Sequence, residues 1–445
     1  MTKKSGIKTL GIFLAFTLLL GILLSIPLAY ASLYSPDTML DTGTIVNAKM
    51  KSLAAGTMIN SWAATSDIKA IRMADSLPDG FIPSNSNTVS ASDSRYPVYI
   101  FFDNTDDAGI INFYTEGNTI SMNPNSYFMF ANNTALTDIS GLAKWDTSHV
   151  LDMCSLFSGA RSLPDALALR DWDTSNVTNM SYMFSCNISL MLVDVSNWNT
   201  GKVTTMECMF QVGDSWDANG QLIEINGLGD LDVSNVRDMT CMFYGAGQMT
   251  YYDVSRWNVS KVESMNHMFC DNRSLVSLDL SSWDVSSLKT IFDMFDDNVS
   301  LKTIGDVSHW NTVNLIDASG WLNECSAFIG DNNSTLDLSG WNTSNLKAAG
   351  EMFLHTNLRI IDLSGWTFDS ITNESWTGAG RGIYYEYGNR SETIKGLGQM
   401  FMHSKYLNTV YISQSGLNSF NAAIEKGINT QNIWYNTQTD NFTVK

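Results

Sequence analysis

Aspartate recurs four residues before a repeated tryptophan of this sequence, and serine recurs two residues before it. On a β-strand, both places point away from the face that carries the apolar side chains between them. Parallel strands would stack them in two rows on a concave sheet, with neighbouring carboxylates about 4.8 Å apart. We define the Asp ladder as Asp194, Asp253, Asp279, Asp306, Asp337 and Asp362, and the Ser ladder as Ser196, Ser255, Ser281, Ser308, Ser339 and Ser364.

Carboxylates at this spacing suggest a binding face, because unit charges so close repel by ~0.9 kcal/mol even at the dielectric constant of water. Calcium or another hard cation would offset the repulsion, since such ions prefer carboxylate and hydroxyl oxygens. A basic partner surface would do the same. Alternatively, each aspartate accepts hydrogen bonds from nearby groups and solvent screens the rest. We favour this alternative for individual residues, while the two ladders together remain the candidate binding face.

Other metal and catalytic signals are weak. Asp214, Asp217, Asn219 and Gly220 resemble a calcium loop in composition, but they lack EF-hand spacing and are interpreted as a polar insertion. The glycine-rich run 378–382 lacks the strand and helix of a phosphate loop. The sequence contains no His-Glu-x-x-His or Gly-x-Ser-x-Gly motif. The histidines share no repeat position or metal spacing, so we expect no enzymatic activity: His149, His267, His309, His355 and His403.

The six cysteines raise the question of disulfides if the chain is exported. Cys208 and Cys241 each lie two residues before the phenylalanine of consecutive repeats, and they are the one pair we nominate. Neighbouring helices in this segment can separate equivalent Cα atoms beyond the limit of about 7 Å, which argues against a bond. The other four are interpreted as small core residues.

A long repeat organises all of these residues. Tryptophan recurs every 25 to 31 residues, with one gap of 59 residues that holds a repeat with Leu231 in the tryptophan place. Phenylalanine usually follows twelve residues later within a Met-Phe pair, as in Trp172 and Phe184. A fixed period of this length is typical of stacked repeat proteins. The tryptophans are Trp145, Trp172, Trp198, Trp257, Trp283, Trp310, Trp341 and Trp366.

Each repeat predicts a strand, a turn and a short helix. Apolar residues eight, five and three places before tryptophan, such as Leu275, Leu278 and Leu280, indicate a half-buried strand. Apolar residues 5, 8, 11 and 12 places after it would cover an arc of about 120° on a helix. We therefore expect an α/β solenoid with a parallel sheet on one face and short helices on the other. Serines three places after tryptophan are the expected helix caps: Ser148, Ser175, Ser234, Ser260, Ser286 and Ser344.

The abundant methionines and the tryptophans are interpreted as core residues. The methionines have the same helical spacing as valine and phenylalanine, which favours packing over metal or haem ligation. The tryptophans are expected to wedge the corner between strand and helix, each with its N–H on a carbonyl, rather than to form sugar-stacking platforms.

With these motifs in view, the chain resembles the BspA-like leucine-rich-repeat surface proteins of bacteria. Residues 172–184, WDTSNVTNMSYMF, match their Trp-Asp-Thr-Ser-Asn-Val…Met-Phe pattern almost letter for letter. The similarity covers about residues 95–412, with degenerate residues at 310–330 and an insertion at 376–400. The resemblance implies a leucine-rich-repeat solenoid on an exported protein that acts in adhesion or other protein recognition.

The N-terminus predicts export. Three lysines precede 21 uncharged residues at 10–30, and Ala-Tyr-Ala at 29–31 fits a cleavage site. Residues 1–31 are interpreted as a signal peptide, with an uncleaved membrane anchor as the alternative. Either way, the remainder is expected to be secreted or to lie on the extracellular face of the cell envelope. It is divided into a region of unassigned fold at 32–94, a β lead-in or cap at 95–125, the repeat array at 126–375, and a C-terminal repeat and cap at 376–445.

The net charge of −19 argues against nucleic acid or an anionic membrane surface as the main partner. Our first hypothesis is adhesion or recognition of an extracellular protein or glycan on a host or another cell. The second is a self-associating structural component of a surface layer. The third, an extracellular hydrolase, has little support. No cofactor is expected, with calcium on the Asp ladder as the alternative. The N-terminal segment is expected to contact a membrane only during export.

Overall fold

The computed structural model describes residues 37–58, 64–213, 220–330, 334–373, 396–428, 433 and 442–445. The predicted signal peptide, residues 214–219 of the calcium-like loop and the glycine-rich run 378–382 lie outside the described residues. The helices are α1 (Gly43–Ala55) and α2 (Gln414–Glu425). The strands are β1 (Ala70–Met73), β2 (Tyr99–Asp103), β3 (Ile110–Tyr114), β4 (Asp165–Ala166), β5 (Leu192–Asp194), β6 (Glu224–Asn226), β7 (Thr335–Asp337), β8 (Ile360–Asp362), β9 (Thr409–Ile412) and β10 (Phe442–Val444).

Most strands pair in parallel with the strand of the next repeat. β4, β5 and β6 form one such sheet, and β7, β8, β9 and β10 form another. Near the N-terminus, β3 pairs in parallel with β1 and antiparallel with β2. Between the two repeat sheets, the pairing is reduced to a parallel bridge between Ser277 and Thr303 and to single backbone hydrogen bonds. This middle stretch therefore forms no strand in the described residues.

A second parallel ladder runs through the segment that follows each tryptophan. Residues seven places after the tryptophan place form a chain of parallel bridges from one repeat to the next, from Asp152 to Ala348. Backbone N–H groups eight, ten and twelve places after it donate to carbonyls of the following repeat, as Met153, Ser155 and Phe157 do at 2.8 to 3.0 Å. Every other N–H group of this segment is thus paired with the next repeat, while the N–H groups between them close turns within the repeat, as Leu156 does on the carbonyl of Met153 at 3.2 Å.

The short helices predicted after each tryptophan are not formed in the described residues, which contain turns there instead. The residues ten places after the tryptophan place have φ of 50° to 63°, including Ser155, Tyr182, Cys208 and Gly320. A right-handed helix cannot contain such residues, since it needs negative φ throughout. The expected cap serines do not cap helices either; the N–H of Ser175 donates to Asp173 Oδ1 at 2.9 Å in a tight turn. Ser148, Ser234, Ser260, Ser286 and Ser344 do the same at 2.9 to 3.2 Å with the Asp or Asn two residues earlier.

One continuous cluster of buried apolar side chains runs from Leu40 to Ile433. Along its axis lies a stack of phenylalanines from consecutive repeats, with neighbouring ring centroids 5.2 to 5.8 Å apart. Offset stacking of this kind adds about 0.5–1.5 kcal/mol per pair to the burial of the rings. The stack consists of Phe130, Phe157, Phe184, Phe210, Phe243, Phe269 and Phe295.

The repeated tryptophans join each repeat to the one before it. All eight are at most 6% exposed. Seven of them donate Nε1–H to a backbone carbonyl of the preceding repeat at 2.9 to 3.3 Å, as Trp283 does to Val254 at 3.0 Å. Their predicted burial is confirmed, and so is the predicted N–H bond to a carbonyl for seven of the eight, although the segment that follows forms turns and not the expected helix.

Both ends of the array are covered. At the N-terminal end, Asn47 and Lys51 of α1 donate to the carbonyls of Phe128 and Ala131 at 2.6 to 3.0 Å. These contacts assign a capping role to part of the 32–94 region. At the other end, Ser419 of α2 accepts the N–H of Phe368 at 3.0 Å. No helix in the described ranges meets the length and apolarity that crossing a membrane requires.

We expect Trp283→Phe to lower the free energy of unfolding more than Trp321→Phe does. Both tryptophans are buried, but within the described residues Trp321 Nε1 has no hydrogen-bond partner. The two substitutions remove similar volume, so the difference of about 1 kcal/mol should report the Val254 hydrogen bond. Urea unfolding followed by circular dichroism measures it. Equal destabilisation by the two variants would contradict the role of the indole N–H.

We expect Asp317→Asn to stabilise the fold at neutral pH. Asp317 is 5% exposed, and burial raises its pKa to about 6. Its protonated form therefore favours folding, and stability is lost as the pH rises from about 4 through about 6. Asn179 occupies the same place in another repeat and accepts the N–H of Ser181 at 3.0 Å, just as Asp317 accepts that of Ser319 at 2.9 Å.

The gain at about pH 7.5 should be about 3 kcal/mol and should vanish at about pH 4, measured by thermal melts of both proteins. The control is Asp306→Asn, because hydrogen bonds from Ser308 lower the pKa of Asp306. That variant should show no gain at neutral pH. A lower melting temperature for Asp317→Asn than for the unmodified chain at about pH 7.5 would refute the argument.

Candidate functional site

The aspartates of the ladder hold local turns. In five of the six, Oδ1 accepts the backbone N–H of the Ser-ladder residue two places later, at 2.9 to 3.1 Å. Ser281 also donates its hydroxyl to Asp279 Oδ1 at 2.5 Å. This arrangement matches the alternative that each aspartate is satisfied by neighbouring groups. It fixes the side chain and leaves the second carboxylate oxygen on the outer face of the strands.

The Asp ladder is interrupted. Asp337 and Asp362 are paired residues on β7 and β8, as predicted. Asp194 on β5, however, lies opposite Asn226 on β6, not opposite another aspartate. The repeat with Leu231 in the tryptophan place, which contributes none of the six predicted members, therefore leaves a gap in the row between Asp194 and Asp253. The physical cause of the gap is that this repeat places asparagine in the paired position.

Basic side chains neutralise part of the ladder. Arg256 Nη2 lies 3.5 Å from Asp253 Oδ2, and Arg170 Nε lies 3.9 Å from Asp194 Oδ2. Lys445 forms an ion pair with Asp362, whose side chain is only 10% exposed. These contacts reduce the repulsion that the sequence predicted. Among ladder members, Asp279, Asp306 and Asp337 have no ion pair within the described residues, and the first two lie close together.

Asp279 and Asp306 lie on an open concavity of about 560 Å³ on the strand face. The ring of Tyr251, which is 59% exposed, lines the same concavity. Hydrogen bonds from Ser281 lower the pKa of Asp279, and those from Ser308 lower the pKa of Asp306, so both are ionised at neutral pH. The remaining lining residues are Ser277, Leu278, Ser281, Thr303 and Gly305.

Gly305 shapes this concavity. It has φ of 81°, and a Cβ there would lie 2.7 Å from both Asp279 Oδ1 and Ser281 Oγ. The glycine follows Thr303 and Ile304, which pair with the preceding repeat, and it precedes Asp306. The close approach of two repeats at Gly305 coincides with the loss of regular strand pairing in this stretch.

The concavity can offer an aromatic face, fixed carboxylates and hydroxyls to a ligand. Such a combination suits a polyhydroxylated or basic group more than a purely apolar one. Sequence reasoning found Asp279, Ser281 and Asp306 but missed Tyr251 and Gly305. A signal existed for Tyr251, because it is an aromatic residue in the outward position of its predicted strand.

Nothing in the described part of the chain forms a group of three His, Cys, Asp or Glu residues suited to a metal ion. Several histidines instead contact carboxylates singly. His355 Nδ1 lies 2.5 Å from Glu324 Oε2, and His267 Nδ1 lies 4.0 Å from Asp293 Oδ2. These contacts lie outside the concavity.

Comparison with models of protein families shows to which family this chain is related. The model of a family described as "Mycoplasma protein of unknown function, DUF285" matches residues 125–226, 217–335 and 305–377, which together exceed half of the chain. The chain belongs to this family. The matched residues include every member of the Asp ladder and the whole concavity. No curated protein matches the sequence.

We expect Gly305→Ala to displace the Asp279 carboxylate and to destabilise the fold by about 1–3 kcal/mol, since alanine is strained at positive φ and its Cβ would clash. The matched control is Gly80→Ala, because Gly80 has φ of 74° and its added Cβ would meet no atom within 4 Å. Chemical unfolding of both variants measures the difference. An equal cost would mean that backbone strain alone, and no contact with Asp279, is responsible.

Proposed function

We propose that the chain is an exported, non-enzymatic recognition protein, built as a leucine-rich-repeat-like solenoid of the BspA-like kind. It binds an extracellular protein or glycan through the strand face. The observation that carries the proposal is the concavity in which the exposed ring of Tyr251 accompanies the carboxylates of Asp279 and Asp306.

The repeat pairing supports the solenoid part of this proposal. Consecutive repeats share one apolar cluster and donate backbone hydrogen bonds to one another, so each depends on its neighbours. Such an array displays outward side chains at regular spacing over a broad surface. That is the geometry that repeat proteins use to bind macromolecules.

The charge pattern supports a ligand with hydrogen-bond donors. The pairs Arg256–Asp253 and Arg170–Asp194 reduce the charge elsewhere on the strand face. The carboxylates of Asp279 and Asp306 keep acceptor oxygens for hydroxyl or cationic groups. A hydrogen bond to an ionised acceptor contributes about 1.5–3 kcal/mol, so two carboxylates beside an aromatic ring suffice for a specific contact.

A second candidate function is self-association in a surface layer. It is favoured by the position of β10 at the edge of its four-stranded sheet, where Thr443 and Val444 are exposed. Exposed edge strands are sites for pairing with another chain. Oligomerisation that increases with protein concentration and needs no added ligand would favour this candidate over the first.

We expect Tyr251→Ala, Asp279→Asn and Asp306→Asn each to weaken binding about tenfold or more on an array of glycans and matrix proteins, in line with the loss of one good contact. Asp284→Asn is the control, because exposed Asp284 holds the same kind of turn with Ser286 at 3.0 Å but lies outside the concavity. If the three variants keep the binding profile of the unmodified chain, the strand-face concavity is not the recognition site.

A further inference from the structure

The side chains ten places after the tryptophan place form a row across consecutive repeats. Tyr182, Cys208, Cys241, His267 and Asp293 occupy this place in five successive repeats. Each of the first four donates its backbone N–H to the next repeat at 2.7 to 2.9 Å. Equivalent residues of paired parallel segments lie about 4.8 Å apart. The row therefore brings two cysteines next to each other.

In the sequence analysis, the spacing of helices argued against a disulfide between Cys208 and Cys241. That argument does not apply to the observed structure, because these segments are paired turns. Disulfides join Cα atoms that are usually about 4.4–6.8 Å apart, a range that includes the spacing of this ladder. Cys208 and Cys241 have φ of 54° and 55°, so their side chains leave the backbone in the same direction. They belong to one buried cluster with Tyr244 and Cys270.

We propose that Cys208 and Cys241 form a disulfide that joins two consecutive repeats when the chain folds in the presence of a small disulfide oxidant such as oxidised glutathione. One cysteine thiolate attacks a glutathione sulfur and expels a glutathione thiolate. The second cysteine thiolate attacks the protein sulfur of the mixed disulfide and expels the other glutathione. Two protons and two electrons pass from the cysteines to one glutathione disulfide, which becomes two glutathione thiols.

The burial of the two cysteines determines at which stage of folding the disulfide can form. Cys208 is 0% exposed and Cys241 is 7% exposed. In the folded chain, burial raises the pKa of the Cys208 thiol, and little of the reactive thiolate is present. The bond therefore forms during folding, before the repeats close over it. Once formed, the same burial protects it from reductants.

The position of the bond gives it a structural purpose. The interval from Trp198 to Leu231 is longer than the 26 or 27 residues between most neighbouring repeats. A crosslink between 208 and 241 closes that interval and restricts the unfolded chain, which raises the stability of the fold. The crosslink joins the repeat with Leu231, which is also the repeat that interrupts the Asp ladder, to the repeat before it.

The test begins with the full chain, denatured and reduced, then refolded in a mixture of oxidised and reduced glutathione. Remaining thiols are counted in denaturant with a chromogenic disulfide reagent. We expect two fewer thiols than in a sample refolded in reductant, and a peptide map should link 208 with 241. The oxidised protein should melt several degrees higher, and native reductant treatment should not restore the thiols, unlike treatment in denaturant.

Cys208→Ser and Cys241→Ser should lose no thiols to oxidation in the same treatment. Cys154→Ser is the matched control, because Cys154 is equally buried in the turn ladder of another repeat, and this variant should still lose two. Thiol counting does not require the variants to be active. A full thiol count in the oxidised chain, or a peptide map that joins Cys241 to Cys270, overturns the proposal.

Discussion

The structure depends on backbone hydrogen bonds between the turns of consecutive repeats. After each tryptophan, alternate N–H groups donate to carbonyls of the following repeat rather than to the same repeat. A single repeat has too few internal hydrogen bonds and leaves its apolar side in water, so it has no stable fold of its own. Stacking satisfies both requirements together, because buried backbone groups must be paired and the apolar face must be covered.

This constraint also explains the unusual backbone. For alternate N–H groups to point at the next repeat, residues ten and usually fourteen places after the tryptophan place adopt the left-handed conformation. Many of them are not glycine, for example Tyr182, Cys208 and His267. A non-glycine residue pays a steric cost there. Inter-repeat hydrogen bonds and the stacked phenylalanines offset it, and this holds only while both neighbours are present.

The end caps follow from the same requirement. The first repeat has no predecessor of its own kind, so its carbonyls at Phe128 and Ala131 are met by Asn47 and Lys51 of α1. Lys51 is fully buried under this cap, and the burial lowers its pKa to about 7. On the strand face the same regular pairing relaxes near Gly305, and there the concavity with Tyr251 opens. The surface proposed for recognition thus lies where the regular pairing between repeats is locally lost.

The period, the buried positions and the strands β5, β7 and β8 can be predicted from the amino-acid sequence, because apolar side chains must recur wherever equivalent residues share a core. The sequence also located the Asp and Ser ladders, since strand alternation fixes which residues point outward. The turns in the segment after each tryptophan could not be predicted in this way. The apolar spacing of that segment fits a helix equally well, and the residue types of Cys208 and His267 do not predict a positive φ. The neighbours in the stack decide the conformation, and they likewise decide that Cys208 lies beside Cys241 and that Tyr251 accompanies Asp279 and Asp306.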